Sequence, residues 1–115
     1  MAVTAKKLFG DAGEKKARAY LKKQGYKILE RNYKNPFGEV DIIAEKDGAV
    51  VFAEVKTRSS DLFGQPNEAV NGVRRRRYIQ AAKYYFLNKG QDVTVRFDII
   101  EVYRGEINHI INAFY

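Results

Sequence analysis

Cysteine and tryptophan are missing from this 115-residue chain, and it carries only two prolines, one histidine and one methionine. Without cysteine there is no disulfide and no thiolate metal site, and a reducing compartment is the natural expectation. Long apolar runs are missing as well. None approaches the ~20 residues that cross a bilayer, and the N-terminal stretch MAVTAKKLFGDAGEKK lacks the apolar block of a secretory signal. A cytoplasmic protein with no membrane partner is therefore expected. There is no internal repeat or low-complexity tract, and Pro36 and Pro66 both fall where connections are expected.

What is present is apolar mass and positive charge. Hydrophobic residues make up 45% of the chain, enough for one compact domain over residues 1–115 with a core of its own. Lys and Arg number 21 against 14 Asp and Glu, a net charge of +7. Such an excess favours a polyanionic partner, because neutralising phosphates releases condensed counterions. Charge alone does not distinguish that from a basic, soluble surface.

Periodicity and punctuation divide the chain into seven elements. Thr4 to about Gln24 reads as a helix stopped by Gly25, with Gly10 and Gly13 costing about 1 kcal/mol each and predicting an irregular first part. Tyr26–Tyr33, Glu39–Glu45 and Ala49–Thr57 read as strands, the last two joined by the hairpin signal Lys46-Asp47-Gly48. Asn67–Lys89 reads as a second helix ending at Gly90. Val93–Tyr103 and Ile107–Phe114 form a final hairpin about Arg104-Gly105. The order α-β-β-β-α-β-β predicts an α/β fold, a mixed five-stranded sheet flanked by helices, with the second helix crossing between two parallel strands.

Chemistry concentrates at one place in this scheme. Asp41 interrupts the apolar run Val40-Asp41-Ile42-Ile43 near the start of its strand, and twelve residues separate it from Glu54. Glu54 and Lys56 share one face of the next strand, since side chains alternate. In an antiparallel hairpin the start of one strand lies beside the end of the other, so Asp41 is expected near Glu54 and Lys56. Carboxylates that close repel unless a cation lies between them, and Mg²⁺ or Mn²⁺ is the natural choice. A lysine beside such an ion suits hydrolysis of a phosphodiester by an activated water. Taken singly, Glu54 and Lys56 also make a plain strand-end ion pair worth roughly 0–1 kcal/mol, and Asp41 a turn residue.

The spacing Asp41, twelve residues, Glu54-Val55-Lys56 resembles the PD-(D/E)xK signature of restriction-endonuclease-like nucleases. Four segments in order, GEKKARAYLKKQGYKILERNY, GEVDIIA, VFAEVKTR and RFDIIEV, are similar to the YraN family, uncharacterised bacterial proteins that share the fold of archaeal Holliday-junction resolvases. The resemblance runs from about Gly13 to Val102. It implies a restriction-endonuclease-like domain, a Mg²⁺- or Mn²⁺-dependent endonuclease acting on nucleic acid, DNA ahead of RNA and branched DNA in particular, and a homodimer. Asp41 and Glu54 would hold the metal and Lys56 would act on the attacking water. Glu14 matches a further helix glutamate of the resolvases, and its heptad spacing from Leu21 places it at the border of the buried stripe. Val40 stands where the signature has proline, a position without chemistry.

Several residues are secondary candidates. Glu39 alternates onto the face of Asp41 as a supporting acid, and Gln80 with Tyr84 resembles a helix motif of related nucleases. Arg58, just past the strand, is expected at the scissile phosphate. Arg74, Arg75, Arg76 and Arg77 sweep about 300° of helix, so some face phosphate while at least one stem packs along the helix. Lys15, Lys16, Arg18, Lys22 and Lys23 add cations on the first helix. All read as backbone contacts rather than base readout. The competing expectation is a nucleic-acid-binding or adaptor protein that keeps the fold and turns nothing over. His109 and Asp98 read as structural, with Asp98 paired to Arg96 or a neighbour.

Overall fold

In the computed structural model, which describes residues 2–58, 72–87, 89 and 92–113, Thr4 opens the first helix by accepting the Lys7 N–H through its side chain at 3.1 Å. The helix, α1, spans Ala5–Lys23, and Gly25 ends it in a left-handed conformation at φ 95°. It runs without interruption through Gly10 and Gly13, against the irregular start expected from their propensities. Gly13 is buried where the Thr57 side chain lies against the helix, and any Cβ there would collide with Thr57. Its intrinsic cost is offset by a close approach that only glycine permits.

Five strands follow: β1 Lys27–Asn35, β2 Gly38–Lys46, β3 Ala49–Thr57, β4 Thr94–Tyr103 and β5 Glu106–Ile110, with α2, Gly72–Phe86, between β3 and β4. Strands in sequence order are also neighbours in the sheet, and all pairs are antiparallel except β3–β4, which is parallel. The β2–β3 turn has both central residues at positive φ, Asp47 at 50° and Gly48 at 80°, the geometry that Asp-Gly hairpins favour. The start expected for the second helix, Asn67, and its expected stop, Gly90, lie outside the described residues. The last strand is shorter than its apolar pattern suggested. Asn112 at φ 56° turns the chain, and its N–H reaches Asp98 Oδ1 at 3.2 Å.

The sheet buries both faces. Ala17 and Leu21 of α1 pack with Ile42, Ala44, Val51, Ala53 and Ile100 on one side. Tyr78, Ala81 and Ala82 of α2 pack with Val40, Ile43, Phe52 and Ile99 on the other. Phe52 is fully buried among Tyr85, Phe86 and Phe97, a site where truncation to alanine costs about 3–5 kcal/mol.

One irregularity positions the site. Val40 and Ile42 lie two apart on β2 yet pack on opposite faces of the sheet, which a regular strand does not allow. The break falls at Asp41. Facing it on β1, between the pairs Arg31–Ile42 and Tyr33–Val40, is Asn32 at φ 50°. The β2–β3 ladder ends at Ile42–Ala53, while β3–β4 pairing continues to Thr57–Val102. Beyond Ile42 the two strands part, and the sheet opens.

Candidate active site

Asp41 sits at that opening. Its Oδ2 accepts the Val55 N–H at 2.8 Å, so a carboxylate takes over where ladder pairing stops. Its pKa is pushed up to about 7. Burial is the main cause, and the negative charges of Glu14, Glu54 and Glu39 add to it against the single Val55 hydrogen bond. Glu14 comes from α1, beside the buried Gly13. Burial and the charges of Glu39 and Asp11 raise its pKa as well, with Arg18 pulling the other way. In its donating orientation the Asn32 amide lies 2.8 Å from Glu14 Oε1 and 3.0 Å from Glu39 Oε1, tying both acids to the β1 irregularity.

Glu54 and Lys56 follow on β3. Lys56 Nζ lies 3.6 Å from Glu54 Oε1, and Arg74 Nε of α2 lies 3.0 Å from Glu54 Oε2. Tyr78, one helical turn beyond Arg74, is buried with its hydroxyl hydrogen-bonded by the Asp41 backbone. Burial and the charges of Asp41 and Glu54 hold that hydroxyl neutral, with its pKa well above the ordinary tyrosine range. The opening is thus flanked by Glu14 and Asn32 on one side and by Arg74 and Tyr78 on the other.

Arg58 is placed otherwise than expected. Its guanidinium is 12% exposed and grips Glu101 Oε2 through Nε at 3.2 Å and Nη2 at 2.9 Å, instead of facing outward to a phosphate. Glu101 has no exposed surface, pairs with Lys56 across β3–β4, and also accepts Asn108 Nδ2 at 2.7 Å. A buried carboxylate with such donors is satisfied, and the bridge anchors the strand end that carries Lys56.

The other predicted cations are largely outward. Arg75, Arg76 and Arg77 are exposed on α2 while Arg74 is half-buried, and Lys15 and Lys22 are exposed on α1. Lys15 borders a polar cleft of about 380 Å³ with Arg18, Arg31, Asn32 and Glu14. Gln80 is exposed, and the Tyr84 ring packs edge-on against Phe37 with centroids 6.3 Å apart. His109 and Asp98 form a separate buried network with Arg96, Tyr20 and Tyr26. Sequence reading passed over Asn32, Tyr78 and Glu101. Asparagine's tolerance of positive φ and the alternation of Glu101 with apolar neighbours were the available signals.

The donor set suits a hard divalent cation. It is all oxygen, with an Asp41 carboxyl that burial, and then the neighbouring carboxylates, raise to about 7, and a bound cation would lower it. It is not a closed cage: among the described residues no three His, Cys, Asp or Glu side chains converge as a ready-made metal group. Asp41 and Glu54, with Glu14 beside them, are the residues that would hold such an ion, which keeps several of its own waters.

Helix, three antiparallel strands, helix, then a strand parallel to the third with its own hairpin partner is the restriction-endonuclease-like arrangement. Comparison with known proteins sharpens this. The model of the Uncharacterised protein family UPF0102 matches residues 13–102. A UPF0102 protein of Clostridioides difficile is 49% identical, with the match covering 91% of this chain and 95% of the relative. Another, from Caldanaerobacter subterraneus, is 45% identical over 95% and 96% of the two chains. A third, from Persephonella marina, is 44% identical over 91% of each. The chain belongs to the UPF0102 (YraN) family. Among the described residues no helix is long and apolar enough to cross a membrane.

Proposed function

We propose that the protein is a cytoplasmic, metal-dependent endonuclease that hydrolyses phosphodiester bonds of nucleic acid, DNA ahead of RNA. The observation that carries this reading is the opening of the sheet at Asp41, whose carboxyl, with a pKa near 7, feels the charge of Glu54, itself paired with Lys56. Mg²⁺ or Mn²⁺ bound there would polarise a phosphoryl oxygen as a Lewis acid. Lys56, held beside Glu54 by the anchored end of β3, orients the attacking water and offsets charge gathering on the phosphate. Val55 N–H fixes Asp41, Asn32 fixes Glu14, and Tyr78 keeps the α2 side of the opening closed to water. Arg75, Arg76 and Arg77 supply sequence-independent backbone contacts. Branched DNA and a homodimer with two related sites follow from the family's likeness to resolvases.

The test is cleavage of labelled branched, flapped and linear DNA with Mn²⁺. The parent protein should cut at least one of these. Asp41→Asn should abolish cutting, and Lys56→Ala should slow it by roughly 10²-fold or more. Cleavage surviving both substitutions would sink the assignment.

A second reading has one observation in its favour. Glu54 is already engaged by Arg74 and Lys56, as in a fold kept for binding alone. Tight, salt-sensitive DNA binding with no metal-dependent cleavage on any substrate would select it.

A further inference from the structure

Beside α1, on the face of the sheet away from α2, lies a groove of about 280 Å³ whose walls are mostly apolar. Phe9, Ala12, Gly13 and Val102 line it, with Lys16 and Arg104 at its rim. Three of its residues, Ala12, Gly13 and Gly105, bear little or no side chain. Phe9 remains 48% exposed at the mouth, and Lys16 Nζ reaches over Gly105, 3.4 Å from where a Cβ would stand. Every charged side chain lining it is cationic. One of its residues, Gly13, precedes Glu14 in α1, while Thr57 lies on the face of β3 opposite Glu54 and Lys56.

We propose that this groove seats one unpaired nucleotide of a nucleic-acid strand bound by the protein. An apolar slot with an aromatic at its mouth accepts a base by stacking, and the cations at its rim meet the phosphates on either side. The chemistry selects this occupant over a second copy of the chain, since another subunit of net charge +7 brings more positive charge to an all-cationic rim. The site takes the base through its π-face and so accepts any base. A paired base offers no free face, so the groove favours single-stranded or frayed nucleic acid over continuous duplex. The identity of the substrate class rests on the nuclease reading; the binding itself does not require turnover.

The experiment measures binding of a fluorescein-labelled thymidine oligomer and of a blunt duplex, both in EDTA. Ala12→Phe fills the slot from an exposed helix position and Phe9→Ala removes the stacking ring. Each should weaken single-strand binding about tenfold and leave blunt-duplex binding nearly unchanged. Equal weakening on both ligands overturns the proposal, as does no weakening on either. Loss of self-association in Ala12→Phe by sedimentation, with DNA binding intact, also overturns it and gives the groove to a second copy. Should Ala12→Phe fail to fold, an iodouracil-bearing strand cross-linked to the unmodified protein decides. A cross-link at Phe9 supports the groove, and cross-links confined to α2 overturn it. Because metal is absent throughout, the expected pattern in a protein that never cleaves would sink the nuclease reading and keep the groove. Metal-dependent cleavage with unaltered strand binding in Ala12→Phe would do the reverse.

Discussion

Asp98 and Asp41 are aspartates withdrawn from solvent on neighbouring parts of one sheet, and they titrate in opposite directions. Burial pushes both carboxyls up. At Asp98 that push is overcome by the hydrogen bonds of His109 at 2.7 Å, Arg96 at 2.8 Å and the Asn112 N–H at 3.2 Å, and its pKa falls below the ordinary value. At Asp41 one backbone N–H stands against burial and three carboxylates, and the pKa climbs to about 7. The two thus differ in the donors that surround them. Hydrogen-bonding partners decide the sign of the shift once a carboxyl is buried, and the proposed cation would supply at Asp41 the compensation that Asp98 already has.

The largest expected effect comes from breaking the satisfied member. Asp98→Ala strands Arg96 and His109 without their shared anion and should cost about 3–5 kcal/mol in urea unfolding. Asp98 is stabilising above the ordinary carboxylate pKa, and that contribution fades as pH falls through its depressed folded value.

Asp41 should behave with the opposite sign. Its folded pKa lies above its unfolded value of 3.8, so between about pH 4 and 7 the native state binds more protons and stability falls as pH rises. Asp41→Asn, which can still accept the Val55 N–H, should therefore stabilise the protein at about pH 8 by roughly 1–3 kcal/mol. At about pH 4 it should bring little gain. Paired unfolding curves at the two pH values check this, and a loss of stability at the higher pH would contradict it.

A smaller effect probes how the acidic centre is held in check. Arg74→Ala releases Glu54 from a guanidinium 3.0 Å away and should tighten Mn²⁺ binding by roughly two- to fivefold in calorimetry. The smallest is Gln80→Ala, on the exposed face of α2, which should leave unfolding free energy within about 0.5 kcal/mol.

Local signals carried much of the fold. The Thr4 cap, the Gly25 stop and the Asp47-Gly48 turn are decided by a few adjacent residues, so α1 and the β2–β3 hairpin were legible with nearly their observed ends. Hairpin geometry also put Asp41 and Glu54 just past the last β2–β3 pair, Ile42–Ala53. What the chain did not reveal depends on contacts distant in sequence. Arg58 looks free from its neighbours and finds its partner in Glu101, forty-three positions on. Gly13 looks like a weak point until Thr57 is seen lying against it. The face change at Asp41 arises from Asn32 on another strand, where no periodicity in β2 could announce it.

The central proposal is that a divalent cation binds beside Asp41 at this opening. Carboxyl-carbon NMR titration of ¹³C-labelled aspartate, with Asp41 assigned through Asp41→Asn, tests this most directly. In EDTA the Asp41 midpoint should lie near 7, and Mg²⁺ should lower it toward the ordinary carboxylate range. A metal-free midpoint near 3.8, or one that Mg²⁺ leaves unmoved, would contradict the account.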